Sequence, residues 1–211
     1  MAKQFNKLTA IAAPIMRGNI DTDVIIRIER LVGNSSRGTL GKWAFGALRY
    51  LPDGSENPEF ILNREPYRQA EILVTGPNFG CGSSREGAVW SLQEMGIRAV
   101  IGSSFGDIFF ANCFQNGILP VVVDKQVVDN LVAEIAATQG AGKINIDLEA
   151  QTITTPEGKT LRFEIDPRRR EGLLLGLDEV MMTLQREAEI RAFQERDRAE
   201  RPWIHFVRTS A

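Results

Sequence analysis

Three short apolar runs, Ala70–Thr75 (AEILVT), Ile97–Gly102 (IRAVIG) and Ile118–Val123 (ILPVVV), recur between segments of helical pattern. Each run has the length of a buried strand, and each leads through turn residues or an aspartate into the next helix. The helices read as Ala88–Met95, Ile108–Asn116 and one opening at Asp124 or Lys125, with Val127, Val128, Leu131, Val132 and Ile135 at helical spacing. Gly96, Gly117 and Gly140-Ala141-Gly142 close them. A chain that alternates strand and helix in this way is constrained to α/β layering.

The flanks carry other patterns. Ala10–Met16 reads as a short apolar strand or turn, and Arg27–Arg49 as irregular, with a mobile loop at Asn34–Gly38 and a short helix at Gly41–Leu48. Lys143–Leu148 and Thr160–Ile165 alternate apolar and polar residues around the turn Pro156–Lys159, which predicts a hairpin with one buried face. Pro167–Glu171 reads as a basic connector. Asp178 is placed to cap a last helix, whose Val180, Met181, Leu184 and Ala188 form an apolar stripe. The organisation expected is one domain over 1–190 and a charged extension over 191–211, with Trp203, Ile204, Phe206 and Val207 in a loose tail.

Bulk properties narrow the function. With 211 residues the chain is long enough to bury one sizeable core, and a formal charge of −2 gives no electrostatic footprint for nucleic acid or an acidic membrane. No apolar stretch approaches the roughly 20 residues of a membrane helix, and the N-terminus lacks a signal-peptide pattern. Two cysteines, Cys81 and Cys113, do not suggest a disulfide-rich secreted protein. A cytoplasmic location is the expectation.

The chemistry concentrates in Asn78-Phe79-Gly80-Cys81-Gly82-Ser83-Ser84-Arg85-Glu86-Gly87, between the first strand and the first helix of the alternation. Gly80 and Gly82 permit positive φ and close approach of a ligand. Ser83 or Ser84 is placed to cap the helix, and free amides at a helix start favour an anion. Arg85 adds a fork suited to a carboxylate or phosphate. The same residues also suit an ordinary βα turn, in which glycine and serine serve only turn geometry and capping. Upstream, Asp21 and Asp23 bracket Thr22. An extended backbone would point both carboxylates to one side, whereas an Asx-type turn would use their oxygens on nearby amides.

As whole words these segments are far more specific. NFGCGSSRE followed by Trp90, then SSFGDIFFANCFQNGILPV, the early NIDTDVII, and the late IDLEAQTI with LLLGLDEV resemble the small subunit of isopropylmalate dehydratase, itself similar to the swivelling domain of aconitase. The resemblance covers about residues 5 to 190. It implies a layered β/β/α swivelling domain and a hydro-lyase that isomerises a 2-hydroxy dicarboxylate, 2-isopropylmalate in leucine biosynthesis or a related methylmalate, citraconate or homoaconitate-type acid. It implies no cofactor or metal bound by this chain and a four-iron four-sulfur cluster on a separate large subunit. Two cysteines cannot supply the usual cluster thiolates. By similarity Ser83 is the catalytic base and Asp23 an active-site aspartate. Ser84 and Arg85 would bind substrate, with Thr22 beside them. The loop from about Arg30 to Gly38 corresponds to the recognition segment. There Leu31 and Val32 would meet an apolar substituent, and Arg30 or Arg37 a second carboxylate.

The chain departs from the family words at several places. SSREHAPW is here Ser83-Ser84-Arg85-Glu86-Gly87-Ala88-Val89-Trp90, without the histidine and proline. Arg27 stands for the proline after DTDVII, Glu171 for a histidine and Leu175 for an asparagine. Such changes near the expected site imply a divergent paralogue that keeps Ser83, Ser84, Arg85 and Asp23. An anion-binding module without catalysis is the competing class.

Overall fold

The computed structural model describes residues 3–32 and 37–204. The first apolar stretch becomes the strand on which the sheet turns: β1 runs Lys7–Ile15, longer than the sequence suggests. Its C-terminal half pairs in parallel with β2 (Ile72–Thr75), which pairs with β3 (Ala99–Gly102), and that with β4 (Leu119–Val122). Its N-terminal half, Lys7–Ile11, pairs antiparallel with β5 (Lys143–Asp147), followed by β6 (Thr152–Thr154) and β7 (Thr160–Arg162). The seven strands thus form one curled sheet in the order β4-β3-β2-β1-β5-β6-β7. The α/β layering predicted from the alternation is present.

Two cores sit on opposite faces, as the two-residue period of a strand requires. Leu73 and Val100 face one core, built with Ile25, Phe45, Phe79, Leu92 and Phe109. Ile72, Val74, Ala99 and Ile101 face the other, with Leu131, Ile135, Ile144, Ile146 and Leu173. The four residues of β2 and of β3 are all buried, which is why they read as continuous apolar runs. On the first face lie the one-turn helices α1 (Thr22–Ile25) and α2 (Gly46–Arg49), then α3 (Glu86–Met95) and α4 (Asp107–Gln115). On the second lie α5 (Lys125–Ala137) and α6 (Pro167–Leu175).

Several expectations are corrected. The hairpin is a three-stranded meander: β5 pairs with β6, and Pro156–Lys159 joins β6 to β7. Three residues, Thr152–Thr154, give too short an alternation to be seen as a strand. Pro167–Glu171 is the start of α6, signalled by Asp166, whose carboxylate accepts from the Arg169 amide at 3.0 Å, and by proline in the first turn. Asp178 does cap a helix, accepting from the Met181 amide, but α7 (Glu179–Leu184) is short and α8 (Glu187–Glu200) follows separately. The apolar stripe is split between them, with Val180, Leu184 and Ala188 exposed. The boundary placed at 190/191 falls inside α8. Trp203 and Ile204 form an exposed single turn after it. Phe206 and Val207 lie outside the described residues, as does most of the loop Asn34–Gly38, of which Arg37 and Gly38 are described.

Candidate active site

The turns that leave the C-terminal ends of β1, β2 and β3 are joined edge to edge. Asp21 bridges Cys81 and Phe79 bridges Phe105, both in parallel. The Gly80 amide donates to Ile20 O at 2.7 Å, the Thr22 amide to Cys81 O at 2.9 Å, and the Gly106 amide to Phe79 O at 2.9 Å. Gly80, at φ +73, lets this happen: a Cβ there would lie 2.2 Å from Cγ of Phe109. Phe79 is fully buried, so the turn is anchored in the core while the residues after it emerge at the carboxyl edge of the parallel strands. That edge is where open α/β sheets place their ligands.

Ser83 and Ser84 are exposed there, and Arg85 is partly buried. The serines do not cap α3. The residue before its first turn is Arg85, at φ −124 and ψ 100, with no side-chain cap. Among the described residues the amides of Ser83 and Ser84 have no hydrogen-bond partner. Two exposed serines, with hydroxyls and unpaired amides, therefore stand just ahead of a helix N-terminus, an arrangement that favours an anion.

Asp21 and Asp23 do not lie side by side on an extended strand. Asp21 caps α1 by accepting from the Val24 amide at 2.8 Å, the Asx-type reading. Asp23, in the first turn of α1, ion-pairs with Arg85 Nη1, a nitrogen that is otherwise buried and without a hydrogen-bond partner. Thr22 is buried, and its hydroxyl donates to Ser83 O at 3.0 Å. The DTD word thus holds the SSR word from three sides: Asp21 by the bridge to Cys81, Thr22 by Ser83 O, and Asp23 by the guanidinium.

Leu31 packs on the first turn of α3. A Cβ built on Gly87 would lie 2.5 Å from Leu31 Cδ2, so the Leu31 side chain fills the space beside this glycine. Val32 is 61% exposed. The two arginines of the loop are both held on aromatic faces, Arg30 at 3.6 Å from the Trp43 centroid and Arg37 at 4.9 Å from that of Trp90. Arg37 also donates to Asn116 Oδ1 at 3.0 Å. It lines a concavity of about 480 Å³ with Glu86, Asp178 and Glu179, whose acidic wall does not suit a carboxylate ligand. Asn116 is a residue that the sequence does not single out. It is 3% exposed and joins Glu86, Trp90 and Arg37 through its amide. Only its contacts reveal it, since an asparagine before a glycine reads as a helix stop.

Comparison with known proteins shows the family. The aconitase C-terminal domain family model matches residues 2–126, LeuD_N matches 129–167, and the C-terminal domain of the 3-isopropylmalate dehydratase small subunit matches 182–205. The 3-isopropylmalate dehydratase small subunit of Gluconacetobacter diazotrophicus is 51% identical over 95% of this chain and 96% of its own. That of Cereibacter sphaeroides is 50% identical over 96% and 100%. The chain belongs to the 3-isopropylmalate dehydratase small-subunit family. A crystal structure of 3-isopropylmalate dehydratase from Methanocaldococcus jannaschii superposes with a TM-score of 0.63 at 25% identity, covering 89% of this chain and 99% of that one. Membership in the small-subunit family extends through residue 205, past the point near 190 where the resemblance by words stops.

Proposed function

We propose that this chain is the small, proton-transferring half of a 3-isopropylmalate dehydratase, a hydro-lyase of leucine biosynthesis that isomerises 2-isopropylmalate by dehydration and rehydration. The observation that carries the mechanism is the outward-facing Ser83–Arg85 turn, braced by Thr22 and Asp23 at the carboxyl edge of the sheet.

Ser83 takes the proton alpha to a carboxylate, and it returns that proton in the reverse sense. A hydroxyl serves as a base only where its anion is stabilised. The free amides of the turn, the start of α3 and the Arg85 guanidinium supply that stabilisation in place before the reaction begins. Arg85 and Ser84 hold the substrate carboxylate, and Asp23 keeps the guanidinium oriented toward it. Leu31 and Val32 supply an apolar contact beside the helix start. That contact favours isopropylmalate over acids with smaller substituents.

We read this chain as the half without the iron–sulfur cluster: its two cysteines fall short of the usual set of cluster thiolates, and burial pushes the Cys113 thiol well above its ordinary range, away from the thiolate a cluster binds. We place the cluster on a large subunit that covers the Ser83 edge, where its iron supplies Lewis-acid chemistry at the substrate hydroxyl. The surroundings are taken as cytoplasmic, with a hydroxydicarboxylate as ligand and no nucleic acid or membrane as partner. No helix of the described residues is long and apolar enough to cross a membrane.

Anaerobic mixing with the large subunit tests the proposal. The chain alone is expected to be inactive, and the mixture to turn over 2-isopropylmalate faster than methylmalate or a homoaconitate-type acid. Tight diacid binding by the chain alone, with no turnover on mixing, would instead make it a binding module.

A further inference from the structure

Away from the Ser83 turn, the end of α4, one face of α6 and the start of α7 enclose a cavity of about 340 Å³. Its floor is apolar, with Phe114 from α4, Leu173 from α6 and Met182 from α7, and Leu173 is 1% exposed. Its rim carries both signs of charge: Arg168 and Arg169 on α6, Asp178 and Glu179 where α7 begins.

These charges share a cavity without meeting. The Arg169 guanidinium is stacked on two rings, 4.9 Å from the Phe114 centroid and 5.3 Å from that of Phe110, which fixes where it stands. Among the described residues neither Arg168 nor Arg169 ion-pairs with a carboxylate. On α8, by contrast, Arg191 closes on Glu187 at 2.6 Å, as surface arginines ordinarily do. Asp178 uses one oxygen to accept from the Met181 amide at 2.8 Å, and its other oxygen has no partner among the described residues, nor has the Glu179 carboxylate.

Opposite charges held apart across an apolar floor fit a ligand that carries both charges and an apolar body. A diacid does not fit, since Asp166, Asp178 and Glu179 outnumber the two guanidinium groups around the cavity. An apolar α-amino acid presents all three elements at one carbon. We infer that this cavity is a binding site for such an amino acid: Arg168 and Arg169 take its carboxylate, Glu179 and the second oxygen of Asp178 its ammonium, and Phe114, Leu173 and Met182 its side chain. None of Ser83, Ser84, Arg85 and Asp23 lines the cavity, so the site is separate from the catalytic turn and does not rest on the proposed function.

Titration of the full chain with L-leucine, followed by calorimetry and NMR chemical shifts, tests the assignment. Leucine is expected to bind with a Kd of about 1 mM or below, within the range open to a ligand of its size. It should shift the resonances of Ala111, Leu173 and Met182 and leave those of Ser83–Arg85 in place. Isocaproate, which lacks the ammonium, and isoamylamine, which lacks the carboxylate, should each bind at least about tenfold more weakly, because each leaves one charged partner unmatched. Arg169→Gln and Glu179→Gln should each weaken leucine by about the same factor. Should Arg169→Gln fail to fold, Glu179→Gln, at an exposed position, carries the test. No binding at about 10 mM leucine, isocaproate or isoamylamine binding as well as leucine, or wild-type affinity in Glu179→Gln would each overturn the site. Shifts centred on Ser83–Arg85 would place the ligand at the catalytic turn and overturn it too. Because the readout is binding by this chain alone, a complex inactive on every diacid would count against the proposed function and leave this result standing.

Discussion

Ser83 is the residue the proposed mechanism turns on, yet its neighbours decide what it can do. Thr22 holds its carbonyl and Asp23 holds the adjacent guanidinium, so the DTD and SSR words are two halves of one support. The residue types were legible in the sequence; their division of labour was not. Spacing along the chain cannot show that Thr22 points inward or that Arg85, not a serine, precedes the helix. Gly87 is the clearest case, since its contact with Leu31, 56 residues earlier in the chain by position, is visible only in the fold. In Gly87→Ala, the gain in helix propensity of about 1 kcal/mol is opposed by displacing Leu31 at a cost of about 1–3 kcal/mol. Little change in Tm is therefore expected, together with a raised KM for 2-isopropylmalate in the complex. Calorimetry and steady-state kinetics check the two halves of that expectation, and an unaltered KM would detach Leu31 from the substrate.

At the level of elements, α5 and the β6–β7 turn are joined by a nearly buried carboxylate. Glu134 accepts from the Glu157 amide and from Lys159 Nζ, both at 3.2 Å. Burial opposes its charge, but hydrogen bonds from Thr155, the Glu157 amide and Lys159 outweigh it, and the carboxyl titrates below its ordinary value of 4.5. A carboxyl whose folded value is depressed stabilises the fold above the unfolded value and loses that contribution as pH falls through the folded one. The Tm advantage of wild type over Glu134→Gln should thus be full at pH 6 and shrink steadily below about pH 4.5. An advantage that did not vary with pH would contradict it. The parallel strands and their helices were readable because each is a run of one pattern with a glycine stop. The three-residue β6 offered too little pattern to read. The start of α6 was masked by a run of arginines, although Asp166-Pro167 is a good opening signal.

For the molecule as a whole, the curled sheet leaves one edge, after β1, β2 and β3, where the turns zip together and the serines emerge uncovered. Beyond the body, α8 is a charged helix with no fully buried residue, and it falls within the family's own C-terminal domain. The measurement that bears most directly on the proposed mechanism is turnover of 2-isopropylmalate by Ser83→Ala in complex with the large subunit, set beside its Tm. Because Ser83 is exposed, the mechanism predicts an unchanged Tm with kcat lowered about 10²- to 10⁴-fold, the usual contribution of a general base. Wild-type turnover by that variant would contradict it.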